Sequence, residues 1–370
     1  MKFTAIKSNL TEALQVVQKA MSSKNALPIL SGIYISVKDD FLQLSATDMM
    51  LRIDATVPVE SIENGETVVP GRSFSELVRR LPDERIVFEN ISENGEDRMS
   101  IYYGDSKASM NGWPGRDYPS LAPVDHAKVL VMKGSDLKKA ISLTAFTVKP
   151  DEIRPVFTGL LFEVKEDVFT IVGTDSFRLA LYRGHLENKE NTTFDIIIPV
   201  RAFAEVARLL NDDDSLEMHV FEDRVVFYLN NIIITANLIR GEYPPYSRVI
   251  PSGYASYVQI NRQNFLASME RATLFSKEKD GTSVVNFALE NSMLHIHTEG
   301  EYGHVNEHIS LYHEGESVDI TFNANFIQDA LKAMKFEELE IHFNGSLGPG
   351  IMKPKGGKED YLYLVLPLRR

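Results

Sequence analysis

Gly32-Ile33-Tyr34-Ile35-Ser36-Val37-Lys38-Asp39-Asp40-Phe41-Leu42-Gln43-Leu44-Ser45-Ala46-Thr47-Asp48 returns 127 residues later as Gly159-Leu160-Leu161-Phe162-Glu163-Val164-Lys165-Glu166-Asp167-Val168-Phe169-Thr170-Ile171-Val172-Gly173-Thr174-Asp175. Gly32 matches Gly159, Val37-Lys38 matches Val164-Lys165, Asp40 matches Asp167, and Thr47-Asp48 matches Thr174-Asp175. Each copy alternates apolar and polar residues around a charged turn, the pattern of a β-hairpin. A weaker third copy runs from Val285 through Leu289, Asn291 and Leu294 to Thr298. Self-similarity at a fixed spacing implies like structural units in series, here three of them.

Helical patterns recur on the same period. Leu10, Ala13, Leu14 and Val17 are echoed by Leu137, Ala140 and Ile141, then by Phe265, Met269 and Ala272. A second set reads Phe74, Leu77, Val78, Leu81, then Phe203, Val206, Ala207, Leu210, then Ile327, Ala330, Leu331, Met334. Each of these rows is spaced i, i+3, i+4, i+7, one face of a helix. In each an acid precedes a base by three residues: Glu76 and Arg79, Glu205 and Arg208, Asp329 and Lys332. Such pairs give a helix weak support. Every third therefore reads strand, helix, several strands, helix, several strands. The expected class is α+β, each third an antiparallel sheet with two helices gathered on one face, the six helices lining a common side if the three domains stack in a curve. Asn64-Gly65 and Asn94-Gly95 are expected to close tight hairpins. Polar or Pro/Gly-containing stretches near 123–128 and 252–256 place the domains at 1–126, 127–253 and 254–370.

The chain has 370 residues and a net charge of −13. It has no cysteine, which excludes disulfides, thiolate catalysis and Cys-ligated metal. No run approaches 18 apolar residues, and Met1–Lys7 has no apolar core of a signal peptide, so the expected address is the cytoplasm with no membrane contact. The acidic total hides an uneven distribution. Windows 7–20, 72–81, 133–148, 200–210, 261–272 and 325–335 hold fourteen Lys or Arg against six Asp or Glu. Lys and Arg are good exposed helix formers in any protein. Repeated on all six helices, they also make a candidate phosphate-facing surface inside an acidic molecule.

Other chemistry is weaker. Six of nine histidines lie between His295 and His342, and His295 and His297 share a strand face, read as solvent-facing imidazoles rather than metal ligands. Asp212-Asp213-Asp214 reads as a helix-ending turn, and Gly356-Gly357 as a flexible turn. There is no Gly-x-x-x-x-Gly-Lys-Ser/Thr loop, and no carboxylate cluster suits a two-metal nuclease.

Five further stretches fall in order on this frame: Met1-Lys2-Phe3-Thr4, Leu27-Pro28-Ile29-Leu30, Gly173-Thr174-Asp175-Ser176-Phe177-Arg178-Leu179-Ala180, Tyr243-Pro244-Pro245-Tyr246-Ser247-Arg248-Val249-Ile250-Pro251 and Leu364-Val365-Leu366-Pro367-Leu368-Arg369. Together they resemble the bacterial DNA polymerase III β subunit, the replicative sliding clamp, over the whole chain. The resemblance implies a half-ring of three clamp-type domains that closes head to tail with a second copy around duplex DNA. It implies no catalysis and no cofactor. The implied partners are double-stranded DNA without sequence preference, a second copy of the chain, the replicative polymerase, the clamp loader, and repair polymerases and ligase-type factors carrying short peptide motifs. The implied place is the nucleoid replication fork. Three like domains in series also present different surfaces at their two ends, and such a heterologous contact closes into a ring when the rotation fits.

By the same resemblance, Phe157, Thr174, Ser176, Phe177, Arg178, Leu179, Pro244, Arg248, Val249, Leu364, Val365, Leu366, Pro367, Leu368 and Arg369 form a peptide groove between the second and third domains. Two arginines give that groove a polar rim, and Leu347 and Pro349 border it. An apolar chain end is otherwise a packed edge strand; Pro367 limits pairing there and suits capture of an extended peptide. Ser176-Phe177 stands where some members have Gly-His. Lys24 and Arg201 fall on basic DNA-facing positions, and Arg72, Arg79, Lys138 and Lys332 join them by helix position. Val156-Phe157 stands where some members carry paired tyrosines. The strand with Lys107, Ala108, Ser109 and Met110 is implied to add to the partner's third domain, against Leu274 and Phe275. Deleting 364–370 is expected to abolish partner binding and spare dimerisation. A peptide-binding scaffold with no topological hold on DNA is the alternative reading.

Overall fold

The structure, a computed structural model, describes residues 1–22, 27–93, 96–122, 126–151, 153–188, 192–277, 281–357 and 359–369. Among them are six α-helices: α1 (Lys7–Val17), α2 (Gly71–Arg80), α3 (Gly134–Thr144), α4 (Val200–Leu209), α5 (Arg262–Thr273) and α6 (Ala324–Ala333). Each follows a β-strand directly, so every third has two strand–helix joints. The periodic residues are the buried ones: Leu10, Ala13, Leu14 and Val17 in α1, Phe265, Met269 and Ala272 in α5, Ile327, Ala330 and Leu331 in α6. Asn261 and Asn323 cap α5 and α6, their side-chain oxygens accepting from the amides of Asn264 and Asn325. Glu76 pairs with Arg79 at 2.8 Å as its spacing predicts. Asp329 instead reaches Arg178, which the linear pattern could not reveal.

All resolved strand pairings are antiparallel, and they form sheets of thirteen, nine and four strands. By contacts the chain divides into two compact units. The first comprises 1–131, 208–210 and 215–238; the second comprises 132–207, 211–214 and 239–370. The first unit holds three whole strands of the second third and most of a fourth, Lys128–Lys133, and Ile232–Asn237 pairs there with Leu51–Pro58. In the second unit Arg178–His185 pairs with Asp360–Val365, so strands of the second and third thirds share one sheet.

The repeated hairpins superpose in register. Tyr34 faces Ser45 as Leu161 faces Val172, and Ser45 faces Asp54 as Val172 faces Leu181. Their two-residue turns contain no glycine. Asp39 and Asp40 take φ of 49° and 64°, Glu166 takes 54°, and Asn291 and Ser292 take 51° and 58°. Positive φ matches the twist of tight hairpins, and Asp and Asn tolerate it better than most residues. The Asn64-Gly65 expectation is corrected: Glu60–Glu63 pairs with Lys2–Ile6 while Gly65–Pro70 pairs with Gly32–Lys38, so the two strands do not form a hairpin. Gly65 serves close approach instead, since a Cβ there would lie 2.9 Å from the Cβ of Met1. Asn94-Gly95 lies outside the described residues.

The repeat's alternation is less clean than expected, because strands 159–165 and 168–174 are buried on both faces. One face carries Phe162 and Phe169, whose rings lie 5.8 Å apart, with Phe203 of α4 at 6.3 Å from Phe162. The other carries Leu161, Val172, Leu179, Leu181 and Ile197 under Tyr243, Tyr246 and Ile250. Gly173 marks a tight point of the sheet: a Cβ would sit 2.4 Å from Thr147 Oγ1 and 2.8 Å from the Thr144 carbonyl oxygen. Replacing Gly173 with alanine is therefore expected to cost about 1–3 kcal/mol of stability. A lower urea midpoint at unchanged slope is the readout, and an unmoved midpoint would refute the close packing.

Candidate functional site

The site is built on a turn that the repeat dictates. Thr174 Oγ1 donates to the Arg178 carbonyl at 2.6 Å and accepts from the Ser176 amide at 3.1 Å. Asp175 Oδ1 accepts from the amides of Phe177 and Arg178, both at 3.1 Å. The first copy repeats all four bonds: Thr47 with Leu51 and Met49, Asp48 with Met50 and Leu51. Short Thr and Asp side chains substitute for missing backbone partners in such turns. They hold Ser176 at φ 76° and push Phe177 outward, 60% exposed.

Behind the turn lies a continuous apolar cluster: Leu161, Val172, Leu179, Leu181, Ile197, Tyr243, Ile351, Leu362 and Leu364, with Val156, Ile239, Tyr246 and Ile250 packed against it. Burial pushes the Tyr243 hydroxyl up in pKa, and it donates to the Val172 carbonyl at 3.3 Å. The Tyr246 hydroxyl donates to Glu163. Phe157 is buried, edge-on to Tyr243 at 6.1 Å, and the Arg154 guanidinium lies 4.7 Å over its ring. Arg154 also donates to Ser176 Oγ at 2.7 Å. Around this floor Pro244, Arg248 and Val249 are exposed. The chain end passes alongside: Leu364 and Val365 are buried strand residues, the Leu366 amide donates to the Phe177 carbonyl at 2.8 Å, and the Leu368 amide to that of Thr321 at 2.8 Å. Leu366 and Arg369 are exposed, and Pro367 and Leu368 are half-buried. Leu347 is 77% exposed. Phe177, Val249 and Leu366 thus present apolar surface beside a preformed apolar floor.

Arg178 departs from its expected place on the rim. Its side chain is 1% exposed and lies on the helix-facing side of its strand, opposite Leu179. It donates to Asp175 at 3.1 Å, to Asp329 of α6 at 2.8 Å and to the Phe146 carbonyl at 2.9 Å, with its guanidinium 4.4 Å over the Phe326 ring. Burial alone would lower its pKa; the field of Tyr363 and the bond and charge of Asp329 and Asp175 outweigh that and raise it. Arg178 is thus a strut beneath the turn. Arg154, absent from the sequence reading, stands at the edge of the apolar floor, placed there by its stacking on Phe157 and its hydrogen bond across 22 residues to Ser176.

The basic helix residues are partly neutralised. Arg79 bonds Glu76, Lys138 bonds Asp212 at 3.2 Å, and Lys139 bonds Glu359 at 2.6 Å. Arg72, Arg201 and Lys332 are exposed. Lys24 lies outside the described residues. Asp214 accepts from the Asn211 amide with its carboxylate, so the triple-Asp stretch is the helix-ending turn expected. His295 and His308 face each other across strands with Nδ1 atoms 2.8 Å apart, and His297 bonds Asn306 at 2.7 Å, on an exposed sheet face.

Two of the open strand edges among the described pairings bear on the implied seam. Ser106–Pro114 pairs along 106–112 with Glu96–Tyr103, but on its other side only through Trp113 and Pro114. Lys107 and Ser109 are exposed along that edge, Ala108 and Met110 half-buried. Gly303–Ser310 is one of the two terminal strands of the four-stranded sheet. Beside it Leu274 is 75% exposed, and Phe275 is half-buried with its ring 3.3 Å from where a Cβ on Gly303 would stand.

Comparison with known proteins bears on all of this. Three family profiles cover the chain: the DNA polymerase III beta subunit N-terminal domain matches 1–122, its central domain 131–245 and its C-terminal domain 247–369. The beta sliding clamp of Staphylococcus epidermidis is 31% identical across 100% of this chain and 99% of its own, and that of Staphylococcus aureus 30% over the same shares. The crystal structure of the Bacillus subtilis DNA polymerase sliding clamp has TM-score 0.94 at 29% identity, covering 100% of this chain and 99% of its own. The Streptococcus pyogenes beta subunit has TM-score 0.93 at 26% identity, with both chains fully covered. With three repeated α+β thirds, a registered hairpin and all three profiles in order, the chain belongs to the DNA polymerase III beta subunit family, the beta sliding clamps.

Proposed function

We propose that the chain is the non-catalytic processivity factor of a replicative polymerase, a head-to-tail homodimeric ring around duplex DNA. The observation that carries this is the pair of dissimilar open edges, 106–111 in one unit and 303–310 in the other. Strand addition between such edges joins one copy to the next by main-chain bonds, with Leu274 and Phe275 supplying apolar contact beside them. A single contact between two different surfaces leaves the pair with one of each still open, and a rotation that fits closes them into a ring. Three domains bounded at 126/127 and 253/254 would then be contributed by each copy.

Arg72, Arg79, Lys138, Arg201, Lys332 and Lys24 are the residues we assign to the duplex. Diffuse attraction to phosphate is independent of sequence and weakens with salt. It suits a protein that moves along DNA, because a ring holds by topology rather than by tight contacts. The groove beside Phe177 would take short apolar peptides from the polymerase, the clamp loader and repair factors. The chain would act in the cytoplasm, at the replication fork.

The test compares retention on a nicked circle with retention after that circle is linearised, following loading by the clamp loader and washing in high salt. Retention on the circle and loss from the line is the expected outcome. Equal loss from both, with a control clamp retained on the circle, would leave only a peptide-binding scaffold.

A further inference from the structure

Four histidines share one sheet face of the second unit. His295 and His297 alternate along Met293–Gly300, while His308 and His304 stand opposite His295 and Glu299 on Gly303–Ser310. Residues directly opposite across an antiparallel pair project to the same side. The other side of Met293–Gly300 carries Leu294, Ile296 and Thr298, all buried. The histidine side is open to solvent: His297, His304 and His308 are exposed, and the His295 side chain is 37% exposed.

One pair of these imidazoles meets. His295 Nδ1 and His308 Nδ1 are 2.8 Å apart, with the ring centroids 4.7 Å apart and the rings at 81°. His297 is held on Asn306 instead, at 2.7 Å. Two nitrogens each about 2.0 Å from one metal lie about 2.8 Å apart at a right angle, and about 3.3 Å apart at the tetrahedral angle. The observed spacing is the right-angled one, which suits tetragonal copper(II) or nickel(II) rather than tetrahedral zinc.

The surroundings favour a cation. Between two neutral rings a single proton bridges the Nδ1 atoms; a metal ion there needs both lone pairs, so each ring must carry its proton on Nε2. Nε2 of His295 lies 3.9 Å from a Glu290 carboxylate oxygen. A carboxylate behind a ligating imidazole fixes this tautomer and makes the ring a stronger donor. On its other side His295 faces Ala288, which is too small to crowd it. The four strands of the sheet contain no Lys or Arg, while Glu290, Glu299 and Asp319 stand on the histidine face.

We infer that His295 and His308 form a chelating site for a divalent transition cation of tetragonal preference, copper(II) before nickel(II). Among the described residues no three His, Asp or Glu side chains converge, so water completes the coordination. The ion ties the terminal strand Gly303–Ser310 to its inner neighbour by a side-chain link.

The test titrates the full-length chain with copper(II) chloride in a non-coordinating buffer near neutral pH. Calorimetry reads the affinity, and electron paramagnetic resonance reads the nitrogens on the ion. A tightest-bound equivalent with splitting from two imidazole nitrogens is expected. His308→Gln and His295→Gln are each expected to weaken that equivalent at least tenfold, and to melt with the parent chain when metal-free, since both rings lie on the exposed face. The control variant His297→Gln, His304→Gln keeps the pair and is expected to bind as the parent does. A single-nitrogen spectrum, unchanged affinity in His308→Gln, or an equal loss in the control variant would overturn the inference.

Discussion

Replacing Arg178 with alanine is expected to lower the free energy of unfolding by about 3–5 kcal/mol, the usual cost of breaking a buried ion pair from one side. The guanidinium joins Asp175 at 3.1 Å and Asp329 at 2.8 Å, tying the Thr174–Arg178 turn to α6 across 151 residues. Without it Asp175, only 10% exposed, keeps its charge in the interior with its main counterion gone. The Phe146 carbonyl also loses its donor. Lysine would not restore the arrangement, because one ammonium cannot reach two carboxylates and a carbonyl in the plane a guanidinium offers. Urea unfolding of the alanine and lysine variants is the measurement. A loss below about 1 kcal/mol, the level of an exposed pair, would mean that Arg178 is no strut.

Ending the chain after Val365 is expected to weaken apolar-peptide binding at least tenfold while leaving the melting temperature within a few degrees. The longer deletion, from Leu364, is a poorer experiment than the sequence suggests. Leu364 and Val365 are 2% and 0% exposed and pair with Leu179 and Arg178, so removing them opens the core. Leu366–Arg369 instead holds on through two main-chain bonds, to Phe177 and Thr321, and keeps Leu366 40% exposed beside the groove. Its loss removes one wall of apolar surface and little buried area. The minority of contact residues that cost more than about 1 kcal/mol on truncation cluster near the centre of a binding site, and tenfold in affinity is about 1.4 kcal/mol. Titration of a labelled apolar peptide against both forms decides it. Unchanged affinity would move the site away from the chain end.

Much of this was legible in one dimension. Repetition fixes the hairpins, because a two-residue turn and a period of two leave a single register once Gly32 and Gly159 are aligned. Helix faces were legible for the same reason, since spacing alone selects Phe74 or Ile327 for burial. The groove was half legible. Thr174-Asp175 and the apolar tail stand out as strings, but the floor residues Val172, Leu181, Ile351 and Leu362 are every second residue of strands that meet only in three dimensions. Their signal is the alternation itself, read on the face opposite to the one that packs on the helices. Arg178 was misplaced for a related reason: its side of the strand follows from parity with Leu179, while its polarity suggested the surface. Charges were least legible. Helix windows show a basic excess, yet Lys138 and Lys139 are answered by Asp212 and Glu359, which lie 74 and 220 residues away.

The ladders that cross from one family domain to the next have a mechanical meaning. Ile232–Ala236 runs in five registered pairs along Leu51–Ala55, and Arg178–Arg183 in six along Asp360–Val365. A joint of this kind resists bending as a beam does, since tilting one side strips several main-chain bonds together rather than turning about a few free dihedrals. Boundaries that divide the chain among the three family profiles are therefore welds in the folded molecule. Strain applied to either unit would be relieved last at the ladders that cross these profile boundaries.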